Sequence, residues 1–183
     1  MVRIDRIVTR GGDGGQTSLG NGDRVGKDSA RVTALGEVDE ANAAIGLLRG
    51  AAPAETDTML ARIQNDLFDV GADLSVPGPD GDRLRLTAVP IDRLEAEVAA
   101  MNAGLPPLTS FVLPAGTEAA ARAHLARAVV RRAERAVVRL AAEETLNQNL
   151  VRYLNRLSDH LFVLARVCNA AAGGDVLWVP GGG

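Results

Sequence analysis

Residues 117–141 of this chain read TEAAARAHLARAVVRRAERAVVRLA. The stretch contains no glycine or proline after its start and is rich in alanine, leucine and arginine, which predicts one long helix. At 3.6 residues per turn, the apolar residues that share one side are Leu125, Ala126, Val129, Val130, Ala133, Val137 and Leu140. The residues expected on the opposite side are His124, Arg127, Arg131, Glu134 and Arg135. Arg132 points away from this charged side, where it could reach another helix or subunit.

Four further helices are predicted by apolar residues that recur at helical spacing. They cover approximately residues 29–50, 55–75, 91–102 and 145–172, and Asp28 or Ser29 can cap the first. The second ends where Pro77, Gly78, Pro79 and Gly81 break the chain. The sequence therefore predicts an all-α fold: a five-helix bundle over residues 29–172, preceded by a glycine-rich N-terminal loop over 1–28 and followed by a flexible tail over 173–183.

Composition narrows the class of protein. Hydrophobic residues make up 46% of the 183 residues and aromatic residues only 3%, as expected for one domain of helices packed through Ala, Leu and Val. The net charge of −3 argues against nucleic-acid or anionic-membrane binding. No apolar run approaches the ~20 residues of a membrane span. A single cysteine and the absence of an N-terminal signal core favour a cytoplasmic protein.

The N-terminal loop has the composition of a polyphosphate-binding segment. Lys27, the only lysine in the chain, follows a run of glycines whose backbone N–H groups can approach a ligand closely. Thr17 and Ser18 add hydroxyl groups, and Asp13 offers a carboxylate to a hydrated metal ion. The loop residues that we single out are Thr9, Arg10, Gly11, Gly12, Asp13, Gly14, Gly15, Gln16, Thr17 and Ser18.

The polar sides of helices four and five allow two interpretations. The arginines of helix four could form a solvated face with helix-spaced ion pairs, or they could clamp an anion with their guanidinium groups. On helix five, Asn155 and Asp159 could form a hydrogen-bonding floor for a nucleotide, whereas Cys168 belongs to the core. Phe111, in the proline-flanked segment 105–114, either covers the core or places an aromatic edge in a pocket.

Taken together, these segments resemble the PduO-type ATP:cob(I)alamin adenosyltransferases. The resemblance runs in order through residues 9–19, 24–28, 36–42, 64–69, 105–114, 131–135 and 153–166. It implies a homotrimer of five-helix bundles with active sites between subunits. It also implies the reaction, in which cob(I)alamin attacks the 5′ carbon of ATP, forming adenosylcobalamin and releasing triphosphate.

The resemblance further implies a role for individual residues. Phe111 would press on the lower face of the corrin and exclude the lower axial ligand of cobalt, so that a four-coordinate cob(II)alamin becomes easier to reduce. Asp39 would pair with Arg127 of the partner subunit. The residues that would surround the triphosphate are the loop Thr9–Ser18, Lys27, Arg131, Glu134, Arg135 and Asn155. Mg²⁺ would act with ATP, its ligands unknown apart from a contact with Glu134 through the bound nucleotide.

The resemblance leaves partners and two other functions open. A reductase and an adenosylcobalamin-dependent mutase or dehydratase are the partners that it implies. A non-catalytic cobalamin carrier with this fold is one alternative, and a helical interaction module without a small ligand is another. A P-loop kinase or ATPase is not expected, because no G-x-x-x-x-G-K-[ST] motif follows a strand.

Overall fold

A computed structural model describes residues 7–78 and 83–182 of the chain. The helices in these ranges are α1 (Ala30–Arg49), α2 (Asp57–Leu74), α3 (Val89–Asn102), α4 (Glu118–Glu143) and α5 (Gln148–Ala170). Two short strands, β1 (Gln16–Ser18) and β2 (Arg24–Gly26), precede them. The expected five-helix bundle is confirmed. The predicted breakers Pro79 and Gly81 lie outside the described residues, as do residues 1–6 and Gly183.

Side-chain caps set where three helices begin. The Ser29 hydroxyl accepts a hydrogen bond from the N–H of Val32, and Thr117 accepts one from Ala120 at 3.1 Å. The Asn147 side chain accepts from the N–H of Asn149, so α5 starts at residue 148 and not at the expected 145. Each cap satisfies a backbone donor that would otherwise lack a partner in the first helical turn.

Helix α4 is the centre of the bundle, since it packs against both α1 and α5, while α2 packs on α1 and α3 packs on α5. Small side chains allow the close approach: Ala120, Ala123, Ala126 and Ala133 are fully buried on α4. Leucines of α5 fill the space between the helices, and each buried leucine contributes about 1.5–3 kcal/mol of hydrophobic stabilisation. Those that are fully buried are Leu154, Leu157, Leu161 and Leu164.

The N-terminal loop is more regular than the sequence predicts. Strands β1 and β2 pair antiparallel, with Thr17 opposite Val25, and the connecting turn contains Asn21 and Gly22. Gly22 has φ 95°, the left-handed conformation that glycine supplies in short hairpin loops. The Leu19 side chain is buried, and the N–H of Gly20 donates to the carbonyl of Ser75 at the end of α2 at 2.8 Å, which attaches the hairpin to the bundle.

The C-terminal segment is also ordered against the rest of the chain, where we expected a flexible tail. Val112 and Leu177 form an isolated antiparallel β-bridge. The N–H of Leu113 donates to the carbonyl of Val176, and the N–H of Trp178 donates to the carbonyl of Phe111, both at 2.8 Å. These hydrogen bonds attach the tail to segment 105–114, which precedes α4.

No helix within residues 7–78 and 83–182 is long and apolar enough to cross a membrane.

The buried carboxylate of Asp73 joins three segments near the end of α2. It accepts hydrogen bonds from the Arg85 guanidinium, the Leu86 N–H and the Asn147 amide, each at 2.8 Å. The segment before α3 and the turn between α4 and α5 are therefore both fixed to α2 by one side chain. A buried carboxylate with this many donors is stabilised, because each partner replaces a lost contact with water.

Replacing Asp73 by Ala is expected to lower the free energy of unfolding by about 3 kcal/mol, because it removes the counter-charge of the half-buried Arg85 and the acceptor of the Leu86 N–H. Urea denaturation measures the change. Asp92→Ala, which removes an exposed carboxylate from the first turn of α3, is the control and should cost less than about 1 kcal/mol. Equal losses in the two variants would contradict the role assigned to Asp73.

Candidate active site

Three arginines on the outer side of α4 have no acidic partner. Among the described residues, no carboxylate forms an ion pair with Arg127, Arg131 or Arg135. Burial, together with repulsion from the nearby Arg131, lowers the pKa of the half-buried Arg127 guanidinium. The three side chains line one shallow cleft of about 410 Å³. Such a concentration of unpaired positive charge favours an anionic ligand. We call these three residues the arginine face.

Arg132, between them in sequence, has the opposite environment. Its guanidinium pairs with Glu37 at 2.5 Å and also with Glu40, both on α1, and these carboxylates raise its pKa. The expectation that Arg132 reaches another helix is confirmed. Glu37 and Glu40 share this one guanidinium, whereas the exposed Asp39, between them in sequence, has no ion pair in the described part of the chain.

Helices α4 and α5 are joined beside the arginine face. The Asn155 amide donates a hydrogen bond of 3.1 Å to the Glu134 carboxylate, which brings together two of the residues predicted for one site. Asp159, expected to share a polar floor with Asn155, instead accepts from Arg156 at 2.7 Å. The polar floor therefore consists of Glu134 and Asn155, and Asp159 belongs to a separate surface ion pair.

His124 does not belong to the charged side of α4, contrary to the sequence prediction. It is only 2% exposed because Phe162 of α5 covers this turn of the helix, with the two ring centroids 6.1 Å apart. Burial first, and the positive charge of Arg127 second, lower the pKa of the imidazole, which is therefore neutral at pH 7. Leu125, predicted for the core, is 57% exposed instead.

A cleft of about 650 Å³ opens at the N-terminal half of α4. Its lining comprises Leu108, Thr109, Ser110, Phe111, Val112, Arg127, Phe162 and Trp178. Phe111 is 78% exposed and does not cover the core; its ring lies 5.9 Å from that of Trp178, centroid to centroid. The Arg127 guanidinium carbon lies 5.8 Å from the centroid of Phe162. The cleft is thus an aromatic pocket with one cationic wall, continuous with the arginine face through Arg127.

The glycine-rich segment 10–15 forms a tight turn over Lys27. Arg10 has φ 58° and Gly15 has φ 79°, both in the left-handed region, and the N–H of Lys27 donates to the carbonyl of Gly15 at 2.9 Å. A Cβ atom on Gly12 would lie 2.9 Å from the Lys27 ammonium nitrogen, so a larger residue would displace it. A glycine-rich turn of this kind lets backbone N–H groups approach an anion closely.

The glycine-rich turn and the arginine face share no hydrogen bond or ion pair in the described part of one protomer. No hydrogen bond or ion pair between described residues joins the segment 9–18 or Lys27 to Arg127, Arg131, Glu134, Arg135 or Asn155. Thr9, Asp13 and Gln16 are exposed, whereas Ser18 accepts a hydrogen bond from Arg24. Across the described ranges, no group of three His, Cys, Asp or Glu side chains could hold a metal ion by itself.

Sequence reasoning did not identify the contribution of the tail to the aromatic cleft. Trp178 lines the cleft, and Asp175 pairs with Arg166 of α5 at 2.8 Å. The one available signal was the short apolar run Val176 to Val179 after Gly173 and Gly174, which is typical of a strand after a break. Cys168 is buried, and burial raises the pKa of its thiol, in agreement with its predicted place in the core.

Comparisons with known proteins agree with this arrangement. Residues 7–168 match the family described as cobalamin adenosyltransferase. A cobalamin adenosyltransferase of Cupriavidus metallidurans is 52% identical over 179 residues, which cover 96% of this chain and 95% of the relative. A corrinoid adenosyltransferase of Mycobacterium tuberculosis is 50% identical over 188 residues, covering 99% of this chain and 96% of the relative.

A solved structure of a variant PduO-type ATP:corrinoid adenosyltransferase from Lactobacillus reuteri, complexed with cobalamin and ATP, superposes with a TM-score of 0.90. The two sequences are 35% identical, and the match covers 94% of this chain and 99% of the other. The family match extends over both the glycine-rich turn and the arginine face, and the relatives align along nearly their full length. This chain belongs to the cobalamin adenosyltransferase family.

Proposed function

We propose that this chain transfers the 5′-deoxyadenosyl group of ATP to cob(I)alamin, forming adenosylcobalamin and releasing triphosphate. The observation that carries this proposal is the arginine face, which forms no ion pair among the described residues and shares Arg127 with the aromatic cleft. One surface thus offers a polyanion site next to a site for a large, flat, apolar ring system. Membership of the cobalamin adenosyltransferase family supplies the reaction that unites the two.

Triphosphate binding is assigned to the glycine-rich turn and the arginine face together. Segment Thr9–Ser18 and Lys27 would surround the phosphates with backbone N–H groups and one ammonium group. Arg131 and Arg135 would bind the same phosphates from the other side, with Asn155 held in place by Glu134. As the bond between C5′ and its oxygen breaks, its electron pair leaves with the triphosphate, and these cations stabilise the developing charge.

We expect this site to bind Mg²⁺ only together with ATP. The described residues offer no three-ligand cluster, but Glu134 presents one half-buried carboxylate next to the arginine face. Magnesium commonly binds through one or two carboxylates together with substrate phosphates. Glu134 is therefore the residue of this chain that would contact the ion, directly or through water, while phosphate oxygens supply the remaining ligands. The ion adds positive charge against the leaving triphosphate.

Corrin binding is assigned to the aromatic cleft. Phe111 projects from segment 105–114 with most of its ring exposed, and a phenyl group excludes water but cannot ligate a metal. Facing the lower side of the corrin, it would keep cob(II)alamin without a lower axial ligand, which makes the one-electron reduction to cob(I)alamin easier. The cobalt nucleophile then supplies both electrons of the new cobalt–carbon bond, so no general base is needed.

We infer that the complete site forms between subunits of a homotrimer. No hydrogen bond or ion pair between described residues joins the glycine-rich turn to the arginine face of its own protomer, which supports two half-sites in each protomer. Asp39 and Arg127, both without an ion-pair partner among the described residues, would then pair across the interface. The reducing cytoplasm suits a cob(I)alamin substrate, and a reductase and an adenosylcobalamin-dependent mutase or dehydratase are the partners that we propose.

Two other functions fit the fold less well. A cobalamin carrier would need the aromatic cleft but would have no use for the arginine face. A helical interaction module would need neither feature, and its exposed arginines would be expected to pair with acidic residues, as Arg132 does. Both alternatives predict that no cobalt–carbon bond forms when the protein meets ATP and reduced cobalamin.

The reaction and its phosphate clamp can be tested in one assay. The parent protein, given Mg²⁺-ATP and chemically reduced cob(I)alamin, is expected to form adenosylcobalamin, which is followed by its absorbance spectrum. Arg131→Ala is expected to lower kcat/KM by about 10²–10³-fold, because it removes one positive group from the departing triphosphate.

Arg139→Ala is the matched control, since Arg139 is an exposed arginine on the same helix whose nearest acid is Glu143 at 3.9 Å. Its kcat/KM should stay within about twofold of the parent value, as expected for a weak surface pair. Equal losses in both variants would point to general surface charge. A parent protein that forms no adenosylcobalamin would exclude the transferase and leave the carrier or the module.

Replacing Phe111 by Ala is expected to impair the handling of the corrinoid without affecting the binding of ATP. The Kd for ATP should be unchanged, because Phe111 lies in the aromatic cleft and not on the arginine face. Adenosylation that starts from cob(II)alamin and a mild one-electron reductant should fall about tenfold or more relative to adenosylation of preformed cob(I)alamin, a barrier change of about 1.4 kcal/mol or more. Rates of the two reactions measure the ratio.

Phe68→Ala serves as its control, since Phe68 on α2 is similarly exposed, at 71%, and does not line the cleft. This variant should leave the ratio of the two rates unchanged. If Phe111→Ala slows both reactions equally, Phe111 contributes to binding or stability and not to exclusion of the lower ligand.

A further inference from the structure

Segment 105–114, which presents Phe111, is held by the C-terminal tail through Ser110, Phe111 and Leu113. Phe111 and Leu113 exchange backbone hydrogen bonds with Trp178 and Val176, and the Ser110 hydroxyl donates to the carbonyl of Trp178 at 2.7 Å. We call these two paired stretches, residues 110–113 and 176–178, the ribbon. The backbone of Phe111 is therefore fixed by the tail, not by a helix of the bundle.

A single buried guanidinium fixes both strands of the ribbon to the bundle. Arg166 of α5 is 5% exposed, and its Nε donates to the Asp175 carboxylate at 2.8 Å. Its Nη2 donates to the carbonyl of Pro106 at 2.7 Å. Pro106 lies four residues before the stretch that carries Phe111, and Asp175 directly precedes the stretch that carries Trp178. Arg166 therefore sets the position of both strands relative to α5.

The buried Arg166 guanidinium depends on the Asp175 carboxylate for its counter-charge. A guanidinium that is almost wholly buried requires a counter-charge, and Asp175 is the only carboxylate that pairs with Arg166 among the described residues. The Asp175 carboxylate is itself largely buried and has no other ion-pair partner in the same part of the chain. Without the pair, both groups regain hydration only if the tail moves away from α5.

The next turn of α5 fixes the other end of the segment. The Asn169 amide donates to the carbonyl of Ala115 at 3.0 Å and accepts from the N–H of Thr117 at 2.9 Å. Gly116 fits against it with φ 108°, where a Cβ would lie 2.1 Å from the Asn169 side chain. Segment 105–114 is thus attached to α5 near its two ends, and between them hydrogen bonds from the tail hold the backbone around Phe111.

We propose that Arg166 and Asp175 are positioning residues for Phe111: their ion pair closes the ribbon and so directs the phenyl ring into the aromatic cleft. The inference rests on the proposed function, because it assigns the ribbon a task in corrin handling. Neither residue lines the cleft, so both act through Phe111 and Trp178. Loss of the pair releases the tail and leaves Phe111 free to turn away from the corrin, while ATP binding is unaffected.

The chain carries its own reporter, because Trp178 is its only tryptophan and lies in the ribbon next to Phe111. Asp175→Asn keeps the shape of the side chain and removes its charge. Acrylamide quenching of Trp178 fluorescence in the ligand-free protein is expected to increase, because the tail leaves its place beside segment 110–113. Circular dichroism and the Tm check that the helices, which do not include Asp175, remain folded.

The functional arm measures four-coordinate cob(II)alamin on the protein by electron paramagnetic resonance in the presence of Mg²⁺-ATP. Asp175→Asn is expected to lose this signal and to slow adenosylation from cob(II)alamin about tenfold, with the Kd for ATP unchanged. Glu95→Gln is the matched control, since it removes another carboxylate paired with an α5 arginine, Arg156, at 2.9 Å on an exposed surface. It should change neither readout. Ser110→Ala, which removes one hydrogen bond of the ribbon, should change both in the same direction as Asp175→Asn but less.

Unchanged quenching of Trp178 in Asp175→Asn would overturn the inference, because the ion pair would not hold the tail. Increased quenching with an undiminished four-coordinate signal would overturn it as well, since Phe111 would be positioned without the tail. In both cases the parent signal leaves the proposed function intact. A parent protein that yields no four-coordinate cob(II)alamin contradicts the role of Phe111 itself, and the inference fails with it.

Discussion

The packing of α4 between α1 and α5 is the interaction on which the rest of the structure depends. Its alanine-lined side is fully buried against both neighbours, so the helix can adopt only one rotation about its axis. That rotation places Arg127, Arg131 and Arg135 on the outer side. Because interiors are closely packed, a change in the buried alanines would rotate or displace the arginine face as well. Stability and ligand binding are therefore coupled in a single helix.

Charge is divided sharply along the same helix. Arg132 is neutralised by two glutamates of α1, whereas the arginines on either side of it have no acidic partner in the described chain. Intramolecular pairing at Arg131 or Arg135 would compete with phosphate binding, so their lack of a partner is consistent with a substrate site. On α1, Asp39 likewise has no ion-pair partner among the described residues, which leaves its carboxylate available to a second subunit.

Helical periodicity predicted the bundle well, because five long amphipathic stretches must bury their apolar sides together. The direction of Arg132 also followed from the period, as did the burial of Cys168. Periodicity gave wrong predictions for residues whose burial is determined by tertiary contacts. His124 lies at the boundary of the two sides of α4, and its burial depends on Phe162 of another helix. The hairpin near Asn21 and Gly22 had a local turn signal, but the glycine-rich context obscured it.

The C-terminal ribbon could not be predicted from local sequence, because its order depends on contacts far along the chain. Asp175 lies beyond the end of α5 and pairs with Arg166 of that helix. Trp178 and Phe111 are joined by a backbone hydrogen bond, which any residue types could form. The composition of residues 173–183 indicates a loose tail when the segment is considered alone. Family resemblance, in contrast, suggested the residues that we propose for the phosphate site, two of which, Glu134 and Asn155, are joined by a hydrogen bond.

The most direct test of a site shared between subunits is complementation by mixed trimers. Lys27→Ala and Arg131→Ala proteins, each inactive alone, are unfolded together, refolded and assayed for adenosylcobalamin. If the glycine-rich turn of one subunit meets the arginine face of the next, random mixing restores about one quarter of the sites, since one site in four takes both intact residues from different chains. Activity near one quarter of the parent value is the predicted result. Mixed protein as inactive as either variant alone would show that both residues must come from the same chain, which would contradict a phosphate site formed between subunits.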